Sequence, residues 1–520
     1  MRKLKFLALI LLLVSVTVVS EKTEPVSTTL VIVIPPEINV NRTNLNFGMI
    51  AGHSPVGEPF TISNSGGGTL EWSITDDMDW LVCSPSSGTG PARVIAYVAA
   101  CQKSPGTYDG TITVDSPNAS NSPQTIDVTL NVYAPGTTQS PFGEFATPEN
   151  NSTVSSSVPF TGWVLDDVGV DSVKLYRQEG SQLVYIGDAV QVEGARPDIE
   201  QAFPDYPYNY KAGWGYMMLT NFLPNRGNGQ FNIQTIATDS EGHTTNLGTK
   251  TIICDNEHAV KPFGAIDTPA QGGTASGSQF YNHGWVLTPQ PKYISTDGST
   301  INVFVDGSNV GHPYYNIKRP DVEALFPDYA NSDGAGAYFP LDTTGYADGV
   351  HTIYWTATDN EGSTDGIGSR FFTIDNTGDD RSPAAVKSRT QNMPGIGLKN
   401  VKHLPIAHFP LRIKKGFRTD IQPQEIYPDA KGIIHIQLRE LERIEVQLSD
   451  TASIITGYTV IGQRFLPLPI GSTLDVNTGT FYWQLGVGFF GRHHLVFVEK
   501  QPDGKIIRKD MRVTIVQKFE

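Results

Sequence analysis

The feature that most constrains this chain is an internal repeat. Residues 141–256 and 262–376 carry the same landmarks in the same order. Pro141-Phe142-Gly143 answers to Pro262-Phe263-Gly264, and Gly162-Trp163-Val164-Leu165 to Gly284-Trp285-Val286-Leu287. RPDIEQAFPDY at 196–206 and RPDVEALFPDY at 319–329 are identical at eight of eleven positions. Ala237-Thr238-Asp239 with Glu241-Gly242 answers to Ala357-Thr358-Asp359 with Glu361-Gly362, and each copy closes on Asp-Asn. A tandem unit of about 115 residues is long enough to close its own core, so the chain reads as a string of separate domains.

Within each copy the apolar residues alternate rather than recur at helical spacing. Phe231–Ala237 and His351–Ala357 have period two, and a D-x-E-G turn reverses the chain before a last strand near 247–254 or 369–374. Alternation over short runs between turn signals predicts strands of a sandwich. With 51 Gly and 35 Pro, the whole chain favours many short strands joined by tight turns. The R-P-D…F-P-D-Y segment is extra to a minimal sandwich of roughly 100 residues. Pro197 suits the first turn of a helix and Asp198 its N-terminal charge, so a helical turn over 198–203 inside a packed loop is expected. The strand-turn-strand ending resembles bacterial immunoglobulin-like repeats.

The flanks read the same way. Runs at 45–50, 58–62, 69–75, 92–100, 107–115 and 124–132 are separated by clusters such as Ser63-Asn64-Ser65-Gly66-Gly67-Gly68, which predicts a sandwich over 36–134. TISNSGGGTLEWSIT (61–75), WLVCSPSSGTG (80–90) and GTYDGTITVDSPNASNSPQTIDVTLNV (106–132) resemble the BACON domain, an immunoglobulin-like module of bacterial surface and secreted proteins. The resemblance implies carbohydrate contact, a role inferred for the family mainly from its company with carbohydrate enzymes. At the other end, residues 416–520 form a further β domain, with a hairpin through Asp503-Gly504 joining 494–499 to 506–516. LPIGSTLDVNTGTF (468–481) resembles the repeated phrase of cadherin-like immunoglobulin modules of bacterial surface proteins. Between the repeat and this domain, residues 377–415 read as a basic flexible linker. The stretch 381–418 holds nine Lys or Arg and no Asp or Glu, in a chain whose net charge is −15. The competing reading is an electrostatic strap onto an acidic domain or anionic polymer.

Residues 1–20 have the three parts of a secretory signal peptide. Arg2, Lys3 and Lys5 precede an apolar run from Phe6 to Val19, and Val18 and Ser20 are small enough for cleavage before Glu21. An uncleaved N-terminal anchor is the competing reading. Residues 21–35 then serve as an N-terminal linker, and no transmembrane segment is expected in the mature chain. The acidic charge disfavours nucleic acid as a partner. In an oxidising compartment Cys83 and Cys101 are a candidate disulfide, with Cys254 left over as a small buried residue.

No nucleophile elbow, phosphate loop, zinc helix or EF-hand loop occurs in the sequence. His493 and His494 are neighbours but point to opposite faces of a strand. The repeated acids Asp198, Asp205, Asp321 and Asp328 are secondary calcium candidates, with Arg196 and Arg319 beside them. A loop-locking Arg–Asp pair explains them more simply. Phe203, Tyr206, Tyr208, Tyr210, Trp214 and Tyr216 crowd one loop of the first copy. Tyr206, Tyr208, Tyr210 and Trp214 are the candidate carbohydrate-binding residues, because C–H faces of sugars stack on aromatic rings. The bland alternative is that these rings seal the end of their own sandwich. The second copy keeps Phe326, Tyr329, Tyr338 and Phe339. Trp72, Trp80, Trp163, Trp285, Trp355 and Trp483 lie in strand-like runs and read as core.

The residues therefore predict an all-β fold of tandem immunoglobulin-like sandwiches, arranged as an extended chain. No catalytic residues and no cofactor are expected. The function read from them is non-enzymatic adhesion, scaffolding or carbohydrate binding at the cell surface or in the periplasm or medium, with a glycan or a cell-surface protein as partner. The alternative is an auxiliary, non-catalytic component of a secreted polysaccharide-degrading system.

Overall fold

A computed structural model describes residues 34–99, 102–376, 398–450 and 453–519. Strands dominate it, and they form four pairs of facing sheets. In the first pair, Ile38–Val40, Glu58–Asn64, Ala92–Val98 and Leu81–Ser84 make one sheet. Asn44–Ile50, Gln124–Tyr133, Gly106–Asp115, Glu71–Asp76 and Ser87–Thr89 make the other. Alternate residues of both sheets, among them Phe47, Phe60, Ile62, Trp72, Val94, Ile112 and Leu130, meet in one core. Period-two patterning over both faces leaves no other way to hide these side chains.

The two repeat copies have the same strand order. In the first, Phe142–Thr147, Ser157–Leu165, Gly213–Leu219 and Val190–Gln191 form a four-stranded sheet. It faces Ser152–Val154, Thr244–Asp255, Asn228–Asp239, Val170–Glu179 and Gln182–Asp188. In the second, Phe263–Thr268, Phe280–Leu287, Gly336–Leu341 and Tyr314–Ile317 face Thr274–Ala275, Thr364–Ile374, Gly349–Thr358, Ile301–Val305 and Ser308–Gly311. The helical turn expected after each Arg-Pro is present, at Pro197–Ala202 and Pro320–Leu325, each with proline in its first turn.

The cores of the copies are filled differently. Trp214 pairs with Gly162 across the four-stranded sheet and is fully buried. The matching partner of Gly284 is Ala337. The large side chain there comes from the opposite sheet instead, where Trp355 stands at the position of Thr235. The same bulge follows both residues, which fixes the correspondence. A Trp/Thr pair has become an Ala/Trp pair, and the core volume is kept. Trp72, Trp80, Trp285, Trp355 and Trp483 are buried, whereas Trp163 is half-buried and stacks on Phe203.

Two expectations are corrected. Residues 398–415 do not belong to a flexible linker: Leu398–Val401 is a helical turn with Val401 buried, and Leu411–Lys415 pairs with Arg443–Gln447. Alternation in Leu411-Arg412-Ile413 outweighs the basic composition, because Leu411 and Ile413 are buried in the last core. Residues 377–397 lie outside the described residues, as does the signal peptide at 1–20.

Nor are the sandwiches strung out. The last one folds back on the others: Arg443 Nε donates to Gly307 O at 2.8 Å, Arg464 pairs with Glu200 at 2.7 Å, and its core continues into Val192, Ala195 and Phe371. Gly215 makes one of these approaches possible. A Cβ there would lie 2.5 Å from Gly488 N and 2.6 Å from Val487 C, backbone that cannot swing aside. Gly215→Ala is expected to loosen the last sandwich at a cost of about 1–3 kcal/mol, read as a lower melting midpoint. An unchanged midpoint would show that this approach is not tight in solution.

Candidate functional site

The aromatic loop expected to form a glycan platform does not present one. Trp214 lies in the core with its ring 5.8 Å from Phe145. Tyr208 is buried and donates its hydroxyl to Val56 O, while its backbone N donates to Glu58 at 3.2 Å. Tyr210 is covered by the Arg42 guanidinium, 3.4 Å from its ring centroid. Tyr206 packs edge-on against Phe142 and Phe203. Tyr206 and Trp214 thus pack within their own sandwich, as in the bland alternative for these rings, whereas Tyr208 and Tyr210 are covered by the first sandwich at its joint with the first repeat copy.

The acid candidates are tied to arginines. Arg196 grips Asp198 with two bonds of 2.9 and 2.8 Å, and Arg319 grips Asp321 with bonds of 2.8 and 2.6 Å. The Arg319 fork holds the Asp321 carboxyl down at about 2. Arg319 also reaches Asp267 at 2.6 Å, and Asp328 meets Arg226 at 3.4 Å. Asp205 is exposed. A fork between neighbouring residues locks a loop, and none of these acids joins another in a cluster of metal-ligating side chains among the described residues.

Cys83 is buried on Leu81–Ser84, and burial, then the Asp76 charge, pushes its thiol up to about 12. Its expected partner Cys101 lies outside the described residues. Burial pushes Cys254 up to about 12 as well, so it is a small core residue and not a nucleophile.

An aromatic face does exist, on the other repeat copy. Tyr314 and Tyr338 stack with centroids 5.0 Å apart and planes 25° apart. Tyr281 and His283 approach Tyr338 at 5.8 and 6.0 Å. The four rings stand side by side on the outer face of the four-stranded sheet, where Tyr281 is 46% and Tyr314 60% exposed. Each strand delivers its ring by alternation: Asn282 and Ala337 point inward, so Tyr281, His283 and Tyr338 point out. In the first copy the matching positions are Pro159, Thr161 and Gly215, and the last sandwich covers that face, with Thr161 donating to Glu440 at 3.0 Å. The same sheet face is therefore a docking surface in one copy and an open aromatic surface in the next.

Sequence reading missed this face because its rings come from three strands and are scattered over 281–338. Tyr338 was noticed, but as a residue of a loop. The signal that finds it is the alternation Tyr281-Asn282-His283 read against the repeat, which has Pro159-Phe160-Thr161 there.

Two family models match the chain. Residues 37–131 match the one described as a viral BACON domain, and residues 141–194 one described as a bacterial Ig domain. No curated protein matches. Among solved structures, the fibronectin(III)-like modules of Clostridium thermocellum CbhA align at 13% identity over 45% of this chain and 94% of theirs, with a TM-score of 0.15. An endo-beta-1,4-mannanase from Thermotoga petrophila aligns at 11% identity over 23% of this chain and 20% of its own, with a TM-score of 0.16. Sidekick-1 immunoglobulin domains 1–4 align at 9% identity over 93% and 99%, with a TM-score of 0.21. No helix among the described residues is long and apolar enough to cross a membrane. Modules of the matched families are non-catalytic. The chain carries an N-terminal BACON domain and a bacterial immunoglobulin-like domain, followed by further immunoglobulin-like sandwiches.

Proposed function

We propose that this is an exported, non-enzymatic protein that contacts glycans through the open aromatic face of its second repeat copy. The observation that carries the reading is the set Tyr281, His283, Tyr314 and Tyr338, four neighbouring rings on one sheet, of which Tyr281, His283 and Tyr314 are exposed and Tyr338 half-buried. A sugar offers C–H faces to such rings and hydroxyls to the phenols and imidazole. The sheet fixes the rings before binding, so little entropy is lost when a glycan settles on them. The sandwiches at 36–134, 141–256 and 262–376, and a last, cadherin-like one towards 520, act in this reading as a braced scaffold. A Cys83–Cys101 bridge belongs to the same exported state.

The test is retention of the full chain on a panel of insoluble and gel-embedded polysaccharides. Wild type is expected to be held by at least one. Tyr314→Ala and Tyr338→Ala should each weaken binding about three- to tenfold, as expected for aromatic contacts of roughly 0.5–1.5 kcal/mol. Their melting midpoints should stay unchanged, since the rings are on the surface. Failure of every polysaccharide, or equal retention of the variants, would leave the protein a scaffold only.

A further inference from the structure

The D-x-E-G loop that ends both copies is built alike but neutralised differently. In the second copy Asp359 Oδ1 accepts from the backbone N of Glu361 and Ser363 at 3.0 and 2.8 Å. A lysine then enters from the long 288–300 connection. Lys292 Nζ lies 3.2 Å from Asp359 and 3.6 Å from Glu361, and donates to Ser363 Oγ at 2.8 Å and to Val260 O at 2.7 Å. Val260 belongs to the segment joining the two copies. One cation thus ties a buried carboxylate, its loop and the joint together.

In the first copy Asp239 Oδ1 accepts the same two bonds, from Glu241 and His243 at 2.8 and 2.9 Å. The connection from 166 to 169 is shorter and brings no lysine. Where the second copy has Thr288 and Pro289, the first has Asp166 and Asp167. Asp166 is 2% exposed, and its Oδ1 accepts from Val168 and Gly169 while its Oδ2 receives no hydrogen bond from the protein. Asp167 Oδ1 is likewise buried with no donor. Burial, the Asp167 charge and the Asp239 charge push Asp166 up to about 7, against the two backbone bonds that lower it. Among the described residues, His243 is the basic side chain paired with two of these four carboxylates, with Nδ1 at 2.9 Å from Asp239 and 4.0 Å from Glu241. The cluster also sits at a joint: Gln139 N donates to Asp167 at 3.0 Å, Thr138 donates to Glu241, and Gly48 of the first sandwich abuts Asp167 O.

We propose that Asp239, Glu241 and His243, with Asp166 and Asp167 beside them, bind one divalent cation of the zinc–manganese class, which braces the first joint as Lys292 braces the second. The three nearest ligand atoms lie within 4.8 Å of one another, against roughly 3.3 Å around a tetrahedral zinc. Rotamer changes of Glu241 and of the 41% exposed His243 side chain close that gap. An imidazole nitrogen among carboxylate oxygens suits zinc or manganese better than calcium, which prefers oxygen alone. Two positive charges also answer four carboxylates where one ammonium answers two.

The experiment is calorimetric titration of the untagged full chain with ZnCl2, MnCl2 and CaCl2 in turn. Zinc or manganese is expected to bind at one equivalent per chain, and to slow proteolysis between the first sandwich and the first repeat copy. His243→Ser, which installs the residue the second copy carries on the same loop, should weaken binding by at least about tenfold. Asp167→Asn, which keeps an acceptor for Gln139, should also weaken it, with both variants folded by circular dichroism. The proposal fails if neither zinc nor manganese saturates a site, if both variants bind as wild type does, or if calcium alone binds.

Discussion

Trp214→Ala is expected to cost about 3–5 kcal/mol of stability, the range for removing a buried tryptophan, and to give the first repeat copy its own early unfolding transition. The indole is fully buried, sits over Gly162 and meets Phe145 at 5.8 Å. The sister copy shows how the hole can be filled. Its tryptophan enters from the facing sheet, so Trp214→Ala combined with Thr235→Trp should recover much of the loss. The pair should therefore depart strongly from additivity, as residues sharing one cavity do. Thr235 is fully buried with an unpartnered hydroxyl, so its replacement sacrifices no hydrogen bond. Urea unfolding followed by far-ultraviolet circular dichroism measures all three variants. A loss below about 1 kcal/mol in the single variant, accompanied by lost polysaccharide retention, would return Trp214 to the ligand surface.

That variant also marks where sequence reasoning ran out. The sandwiches were legible because alternation of apolar residues dictates which face of a strand is buried. The repeat was legible because Gly162-Trp163 and Gly284-Trp285 hold equivalent strands. The aromatic loop misled because nearness along the chain says nothing about which rings share a surface. Tyr208, Tyr210 and Trp214 are close in sequence, yet each is covered by a different element. The folding back of the last sandwich had no periodic signature at all. It depends on Gly215, which has no side chain to read, and on Glu440, whose partners Thr147 and Thr161 lie nearly 300 residues away. The basic composition of 381–418 hid a strand because charge was weighed over the alternation at Leu411-Arg412-Ile413. His243 becomes conspicuous only when the copies are compared, with Ser363 in its place.

Raising the pH from 5.5 to 8 is expected to lower the stability of the docked assembly, and Glu440→Gln to flatten that slope. Glu440 is 3% exposed and accepts from Thr147 Oγ1 at 2.7 Å, Thr161 Oγ1 at 3.0 Å and Lys518 N at 3.2 Å. Lys518 Nζ in turn holds Ser157 O at 2.9 Å and Asp365 at 3.4 Å, so three sandwiches meet at this carboxyl. Burial pushes Glu440 up to about 7, outweighing the two hydroxyls, the amide and the Lys518 ammonium that lower it. Glu58, at the first joint, is pushed up to about 7 by burial against Arg42, the Tyr208 amide and Lys211. The unfolded chain releases these protons near 4.5, so between about 4.5 and 7 the folded state binds more protons and stability falls as pH rises. The advantage is complete below 4.5 and gone above 7, with a ceiling of about 3 kcal/mol for each carboxyl. His493 opposes it, because burial pushes that imidazole down to about 4 and favours folding as pH rises from 4 to 6.5. That opposition ends at 6.5, so the fall from there to pH 8 belongs to the carboxyls. Glutamine at 440 keeps an acceptor for both threonines and has no proton to lose. Melting midpoints at half-unit steps of pH decide the matter: equal slopes for wild type and Glu440→Gln would show that Glu440 ionises at its ordinary value and that the junction is open to water.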